Sequence, residues 1–420
     1  NIMKKFIVAA ITVLILNTIL LSENCQSQWL SYNFPYDGIS YTLGFYDASK
    51  LISFGHGFAP FGERIFYTTN LGANWVHASY PVELRAIADV QFINATTAYA
   101  CGAENVIGKN FFPMNDFTKY PKTLRDKFLR EGKREFYSEY KGAFVKSTNG
   151  GLNWVRGCAF DTLAGYVMDI HFFDANTGYA LIDSNSYGRT RFYKTTNGGA
   201  NWNFVSRIDT AMVESMHFFD MNTGVANGFS WGGRIYRTTN AGLNWSVTVM
   251  PSQVDCMTFL NSTTGIAIGL KENVSGSNIY RTTNGGINWA LTGDVAGTRQ
   301  FGNIKALANT ETAFAVGNIL FDTLGIGKII TLKTTNYGVN WVMKEFNPMI
   351  MANGIALIDA NNFFIGAGDF VGVPSQVLKS TNGGNVFVNQ IGTVVPSAYS
   401  LGQNYPNPFN PISNIKYKIS

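Results

Sequence analysis

The acidic residues best placed for hydrolytic chemistry lie between repeated segments, and they are Asp161, Asp209, Asp255 and Asp294. Two carboxylates that face each other across a cleft cleave glycosidic bonds, but an aspartate in a loop is equally suited to capping a turn. The four histidines lack the spacing of metal ligands, and no glycine-rich phosphate loop connects a strand to a helix. We therefore predict no catalytic residue, no metal site and no cofactor, and we keep a glycan-cleaving hydrolase as the alternative.

Residue types that favour binding are found in irregular loops. Tryptophan, tyrosine and arginine are enriched at the energetic centres of interfaces, and irregular loops on a rigid scaffold commonly carry recognition. The candidate binding residues are His56, Phe58, Tyr187, Arg189, Trp231 and Arg234. We expect a protein or glycan to bind there.

Composition narrows the class of protein. The chain has 420 residues, 14% of them charged and 14% aromatic, with 43 glycines, a mixture typical of short strands joined by tight turns. The formal net charge of +5 is too small over this length to indicate a nucleic-acid-binding protein. Four cysteines exclude a scaffold built from disulfides, and Cys101, Cys158 and Cys256 are expected to be small buried residues.

One eight-residue motif recurs seven times, in forms such as TTNGGANW (195–202) and TTNAGLNW (238–245). We call it the box. Its asparagine and glycine favour a tight hairpin turn, and its first Thr or Ser offers a hydroxyl to hold that turn. The box asparagines and aromatic residues, predicted to be structural, are Asn70, Trp75, Asn149, Trp154, Asn197, Trp202, Asn240, Trp245, Asn284, Trp289, Asn336, Trp341 and Asn382, with Phe387 in place of the seventh tryptophan.

A second motif precedes each box and reads as strand, polar turn and strand, as in FFDMNTGVANG (218–228). Together the two motifs predict four antiparallel strands per repeat, and seven such sheets favour an all-β, seven-bladed β-propeller over residues 28–392. A linear solenoid is the alternative architecture. The segment at Trp29 resembles an outer strand, so we expect it to close the ring beside, or instead of, the strand at Phe387.

An insertion interrupts the first long repeat at residues 105–142 and is rich in lysine and arginine. Leu124, Phe128, Leu129 and Phe136 have helical spacing, which predicts a short amphipathic helix. The segment is either a decoration packed on the ring or a partner-binding flap.

Both ends of the chain have the sequence features of export signals. Residues 1–27 have the basic, apolar and polar order of a secretory signal peptide; a membrane helix and lipid attachment at Cys25 are the alternatives. Residues 393–420 form a linker and a proline-rich segment that holds Tyr405, Pro406, Asn407, Pro408, Phe409, Asn410 and Pro411.

These motifs carry a resemblance to known families. The box resembles the Asp-box, or BNR repeat, with asparagine at the acidic position, and the whole unit is similar to the photosystem II stability/assembly factor-like propellers. The 405–411 segment resembles the start of a type IX secretion C-terminal sorting domain, of which most is absent here. The resemblance implies export, with the secretion machinery as a partner, and a location in the medium or on the outer cell surface.

In a four-stranded blade, the box turns and the first-to-second turns lie on one face of the ring. The opposite face then receives the irregular loops. We therefore predict a monomeric, non-catalytic, secreted or surface propeller that binds a protein or glycan there.

Overall fold

Seven repeats fold into seven four-stranded antiparallel blades, as shown by a computed structural model of the chain. The structure describes residues 29–47, 50–57, 64–81, 84–105, 140–157, 160, 165–183, 189–229, 233–271, 275–297, 300–320, 327–346, 351–368, 374–384, 399–401 and 417–419. These residues form strands and turns and no helix, and the seven-bladed, all-β prediction is confirmed.

The strands follow one another with short turns. In chain order they are β1 (Trp29–Asp47), β2 (Lys50–Gly57), β3 (Arg64–Thr68), β4 (Val76–His77), β5 (Leu84–Phe92), β6 (Ala98–Asn105), β7 (Tyr140–Ser147), β8 (Val155–Arg156), β9 (Tyr166–Phe172), β10 (Gly178–Asp183), β11 (Thr190–Thr195), β12 (Asn203–Ile208), β13 (Met212–Phe218), β14 (Gly224–Phe229), β15 (Arg234–Thr238), β16 (Ser246–Val249), β17 (Cys256–Phe259), β18 (Gly265–Leu270), β19 (Gly276–Thr282), β20 (Ala290–Ala296), β21 (Gln300–Ala306), β22 (Ala313–Leu320), β23 (Gly327–Thr334), β24 (Val342–Phe346), β25 (Met351–Leu357), β26 (Phe363–Gly368), β27 (Pro374–Ser380), β28 (Tyr399–Leu401) and β29 (Tyr417–Ile419).

Blades 2 to 6 each run from their first strand to their fourth in chain order. Blades 2 to 6 are the sheets β5–β8, β9–β12, β13–β16, β17–β20 and β21–β24. Successive first strands, such as β9, β13 and β17, contact one another, so the first strands surround the centre of the ring.

Strand β1 joins blade 7 to blade 1 and closes the ring. Its first half pairs with β27, with Trp29 opposite Ser380, and its second half pairs with β2 as the inner strand of blade 1. In blade 4, Arg237 pairs with Ser246, which places Trp245 opposite the box residue Thr238. Trp29 lies opposite the box residue Ser380 in the same way, so it takes the register position of a box tryptophan. The expected closure by the N-terminal strand is confirmed, whereas Phe387 lies outside the described residues.

The box turns are held by a side-chain network that the sequence explains. In blade 4, the Thr238 hydroxyl accepts from the backbone N–H of Gly242 at 3.0 Å and donates to Asn240 Oδ1. Asn240 Oδ1 also accepts from the N–H of Asn244 at 3.0 Å. Gly242 has φ +80°, and a Cβ there would meet the ring of Phe192, so only glycine fits.

The core lies between the blades, and it is rich in aromatic rings where blade 3 meets blade 4. Between blades 3 and 4, Tyr179 stacks on Phe192 with ring centroids 4.8 Å apart, and Trp245 meets Phe192 edge-on at 5.3 Å. The Tyr179 hydroxyl donates to the carbonyl of Met221 in the next blade at 2.7 Å. Apolar burial and polar contacts thus act across the same blade interface.

In several blades, the basic residue just before the box Thr or Ser donates a hydrogen bond to the next blade. Arg237 Nε donates to the carbonyl of Gly285, Arg281 Nε to that of Tyr337, and Lys333 Nζ to that of Ala360. Lys379 Nζ donates to the carbonyl of Leu71 at 3.0 Å and so crosses the seam between blades 7 and 1. These basic side chains therefore stabilise the contacts between neighbouring blades.

Contacts divide the chain into two compact units, one of which is Trp29–Asn385, the propeller. The other unit combines Asn1–Gln28 with Val386–Ser420, where β28 pairs with β29. The predicted signal peptide, the 405–411 motif and the helix of the insertion lie outside the described residues. Asn105 and 140–142, assigned to the insertion, belong to β6 and β7. No helix among the described residues is long and apolar enough to span a membrane.

Candidate binding site on blade 3

Two of the predicted binding residues reach adjacent residues of one loop. Arg189 Nε lies 3.7 Å from Asp209 Oδ1, and Arg234 Nη1 donates to the carbonyl of Thr210 at 2.9 Å. The structure thus brings Arg189 and Arg234 together at the link between blades 3 and 4. Three other candidates, Phe58, Tyr187 and Trp231, lie outside the described residues. The structure describes the backbone of His56, in β2, but not its side chain.

A further arginine joins this loop. Arg207 Nε lies 2.7 Å from Asp209 Oδ1, so that two guanidinium groups share one carboxylate. Arg234 Nε is buried and has no hydrogen-bond partner among the described residues. The loop therefore gathers Arg189 and Arg207 at one carboxylate and Arg234 at the neighbouring carbonyl.

Strand register adds a fourth arginine. Arg191 of β11 lies directly opposite Arg207 of β12. Side chains in this relation have Cβ atoms roughly 4.5–5.5 Å apart, and like charges there destabilise a sheet. The equivalent pairs in blades 4, 5 and 6 are Arg234 with Val249, Asn278 with Asp294 and Ile330 with Glu345. Among these four blades, blade 3 alone places two cations together.

The side of the sheet that carries these arginines follows from strand alternation. Thr190 points toward blade 4, because its hydroxyl accepts from the N–H of Val213 at 2.8 Å. Arg189, Arg191 and Tyr193 alternate with Thr190 and therefore point toward blade 2, where Tyr193 packs on Phe160. Their cross-strand partners share that side.

An exposed aromatic ring extends the same surface. Phe204 lies opposite Tyr193, meets its ring edge-on at 5.7 Å and is 57% exposed. The outer strand of blade 2, β8, has two residues, whereas β12 has six. We name this surface the arginine strip, and it comprises Arg189, Arg191, Tyr193, Phe204, Arg207 and Asp209.

The other described ion pairs among side chains are balanced one to one. Arg156 pairs with Glu104 at 2.5 Å, Lys328 with Glu345 at 2.8 Å, and Lys271 with Asp294. An exposed pair such as Lys328–Glu345 adds little to stability. The arginine strip differs because it places two cations, Arg191 and Arg207, directly opposite each other.

The described candidate acids have protein partners, which weakens the case for them as catalysts, and Asp294, expected between repeats, instead lies within β20. Asp209 and Asp294 are ion-paired, and Asp255 Oδ1 accepts from the amide of Gln253 at 2.6 Å. Burial raises the pKa of Asp255 to about 6. Asp161 lies outside the described residues.

The centre of the ring holds a carboxyl pair that sequence reasoning missed. Asp169 and Asp89 share a hydrogen bond between their side chains, and Asp169 Oδ2 accepts from the N–H of Met216 at 2.5 Å. Burial, then the charge of Asp89, raises the pKa of Asp169 well above its usual range. Two carboxyl groups in direct contact are closer than the roughly 5 Å or more that glycoside hydrolysis requires.

Two histidines occupy equivalent positions on β9 and β13. The rings of His171 and His217 have centroids 6.0 Å apart, and His217 stacks on Phe259 at 5.1 Å. Burial, with a smaller contribution from His217, lowers the pKa of His171 to about 3. Burial and the charge of Lys305 lower that of His217 to about 4. Both imidazoles are neutral in the folded protein near pH 7.

The box residues lie where the turns need them. Each described box asparagine accepts from the hydroxyl of the Thr or Ser two residues earlier, from Asn70 at 2.8 Å to Asn382 at 3.2 Å. Trp154 is 4% exposed, and its Nε1 donates to the carbonyl of Gly151.

Within the described part of the chain, no three acidic, histidine or cysteine side chains are placed to hold a metal.

Sequence reasoning missed Arg191, Arg207 and Phe204. Arg191 stands four residues before the box hydroxyl, as Arg234 does in blade 4, so aligning the repeats could have flagged it. Its pairing with Arg207 depends on a register shift between Phe192 and Tyr193, which no local pattern reveals.

Comparison with solved structures identifies the architecture. The fold is similar to YCF48 bound to a D1 peptide (TM-score 0.56, 13% identity) and to YCF48 from Cyanidioschyzon merolae (TM-score 0.55, 14% identity). The matches cover 84% of this chain and 97% and 98% of those chains. It is also similar to the GH74 xyloglucanase from Xanthomonas campestris, with TM-score 0.56, 11% identity and coverage of 85% of this chain and 54% of that chain. At these identities the likeness shows the fold alone.

No protein-family model and no curated protein matches the chain.

Proposed function

We propose that this chain is a non-catalytic propeller that binds a protein or glycan partner on the blade 3 side of its irregular-loop face. The observation that carries the proposal is the register pair of Arg191 with Arg207, next to Asp209, which holds Arg207 and Arg189. Arginine forks recognise carboxylates and other planar anions with two parallel hydrogen bonds. A stable sheet does not need such an arrangement, since like charges opposite each other oppose its folding.

The comparisons support a binding role for this architecture. One similar propeller is described as bound to a peptide, and the match covers 84% of this chain. We also assign the box to the Asp-box class, with asparagine in the acidic position, because its side-chain oxygen holds the turn.

A secreted glycoside hydrolase is the second candidate function. The GH74 similarity and the raised pKa of Asp255, about 6, favour it, since a carboxyl that keeps its proton suits a general acid.

We further propose export by the N-terminal signal peptide and a type IX-like system. Residues 1–27 and the motif Tyr405–Pro411 support this route. Deletion from Gly402 onward in the complete gene product should leave a folded propeller in the periplasm. Unchanged appearance of that variant in the medium or on the cell surface would exclude the route.

Measurements of binding and of substrate turnover distinguish a binding protein from a glycoside hydrolase. The full chain is tested against polysaccharides and peptides for retention, by affinity electrophoresis, and for release of reducing ends. We expect retention without release, weakened by the double variant Arg189→Gln, Arg234→Gln and unchanged by Lys328→Gln, which alters a balanced ion pair. Release of reducing ends that is abolished by Asp255→Asn would establish the hydrolase instead.

A further inference from the structure

We propose that the arginine strip binds a linear acidic polysaccharide built of uronic acid units. The inference rests on the proposed binding function and names its partner class. It follows from three features of the described surface: the guanidinium groups of Arg191 and Arg207 opposite each other, an exposed aromatic ring beside them, and the lack of a described carboxylate paired with Arg191.

The paired guanidinium groups provide the anion site. Arg191 and Arg207 lie opposite each other, and Asp209 holds Arg207 and Arg189 from the side of the loop. Among the described residues Arg191 has no ion pair, so its charge adds to that of Arg207. Carboxylates spaced along a polymer would relieve the repulsion between Arg191 and Arg207, so ligand binding and charge relief act together.

The aromatic ring supplies the second contact. A sugar ring has an apolar C–H face that stacks on an exposed aromatic side chain, and Phe204 is 57% exposed. Phe204 and Arg207 lie opposite Tyr193 and Arg191, which are two positions apart on β11. The two side chains are therefore about 7 Å apart along the sheet, so one sugar unit can stack on Phe204 while a neighbouring unit presents its carboxylate to Arg207.

The form of the surface favours a glycan over an acidic peptide. Arginine clusters can recognise acidic peptides as well as acidic glycans, so the exposed ring has to distinguish the two. Phe204 lies on the same face of the sheet as the arginines and is 57% exposed, an arrangement that suits the apolar face of a sugar ring. Equivalent positions on blade 4 hold Val247 and Val249, which offer neither stacking nor charge.

The test uses oligogalacturonates as the probe, with the full chain. Calorimetry at low salt compares unesterified oligomers with methyl-esterified oligomers of equal length and with polyglutamate. We expect binding of the unesterified oligomer alone, weakened about 10-fold or more by Arg191→Gln or Arg207→Gln and several-fold by Phe204→Ala. Val247→Ala, at the blade 4 position equivalent to Phe204, is the matched control and should change affinity less than twofold.

The variants should fold, because Arg191→Gln removes a like-charge contact, and the melting temperature verifies this. Equal binding of esterified and unesterified oligomers, no binding of either, or unchanged affinity in the arginine variants would overturn the proposal. Binding of polyglutamate alone would overturn the glycan while leaving the binding function intact. Cleavage of the oligomers would instead contradict the non-catalytic function.

Discussion

At the scale of the residue, two buried imidazoles make stability depend on pH. His171 and His217 are neutral when folded, with pKa values of about 3 and about 4, whereas an unfolded histidine titrates near 6.5. Below pH 6.5 the unfolded chain binds protons that the folded chain refuses. Stability from this pair is therefore present above pH 6.5 and is lost as the pH falls.

Replacing both residues by their repeat equivalents tests this effect. Blades 2 and 5 carry Gln91 and Thr258 at these positions, which suggests the double variant His171→Gln, His217→Thr. From pH 7.5 to 5.5 the wild type should lose about 2–3 kcal/mol more unfolding free energy than the variant. Urea denaturation at both pH values measures the difference.

Asp255, with its pKa raised to about 6, and Asp169 act in the opposite sense. The folded protein retains their protons, so their contribution weakens as the pH rises. The histidines' contribution to the pH dependence of stability is therefore measured as the difference between wild type and variant. Equal pH dependence in the two proteins would contradict neutral, buried imidazoles.

At the scale of the element, the box turn depends on one hydroxyl. Thr238→Val keeps the shape of the side chain but leaves the buried N–H of Gly242 without its acceptor. We expect a loss of about 1–3 kcal/mol in the free energy of unfolding. The exposed neighbour Thr239 provides the control, since Thr239→Val removes no described turn contact. Equal losses in the two variants, measured by denaturant titration, would show that the hydroxyl is not what holds the turn.

The sequence predicted the elements better than the binding surface. Seven copies of the box and of its preceding motif determine the blade number and strand order, because each copy marks the same two turns. The arginine strip joins Arg191 to Arg207, sixteen positions along the chain, through a bulge. Pairing of this kind depends on tertiary register, which local periodicity does not contain. Asp89 and Asp169 meet only because neighbouring blades pack around the centre.

At the scale of the whole molecule, stability depends on the seam. Residues Trp29–Asn33 supply the outer strand of blade 7 and pair with β27. A chain that begins after Asn33 should lose several kcal/mol and unfold with lower cooperativity, because blade 7 loses its fourth strand and exposes an edge. Truncation after Gln390, which removes no strand of the described propeller, is the control. Calorimetric unfolding of both chains makes the comparison, and identical transitions would contradict closure by the N-terminal strand.

The same closure governs how the protein is made. The pairing of Trp29 with Ser380 joins the first described residue of the propeller to its last blade, so the outer strand of blade 7 is synthesised before the strand it pairs with. Pairs so distant in sequence raise the contact order, and such contacts form late and slowly. During synthesis the leading strand must stay unpaired while six blades form behind it. An unpaired strand is prone to aggregation, so the interval before the last blade emerges is the period when the nascent chain is most exposed to misassembly.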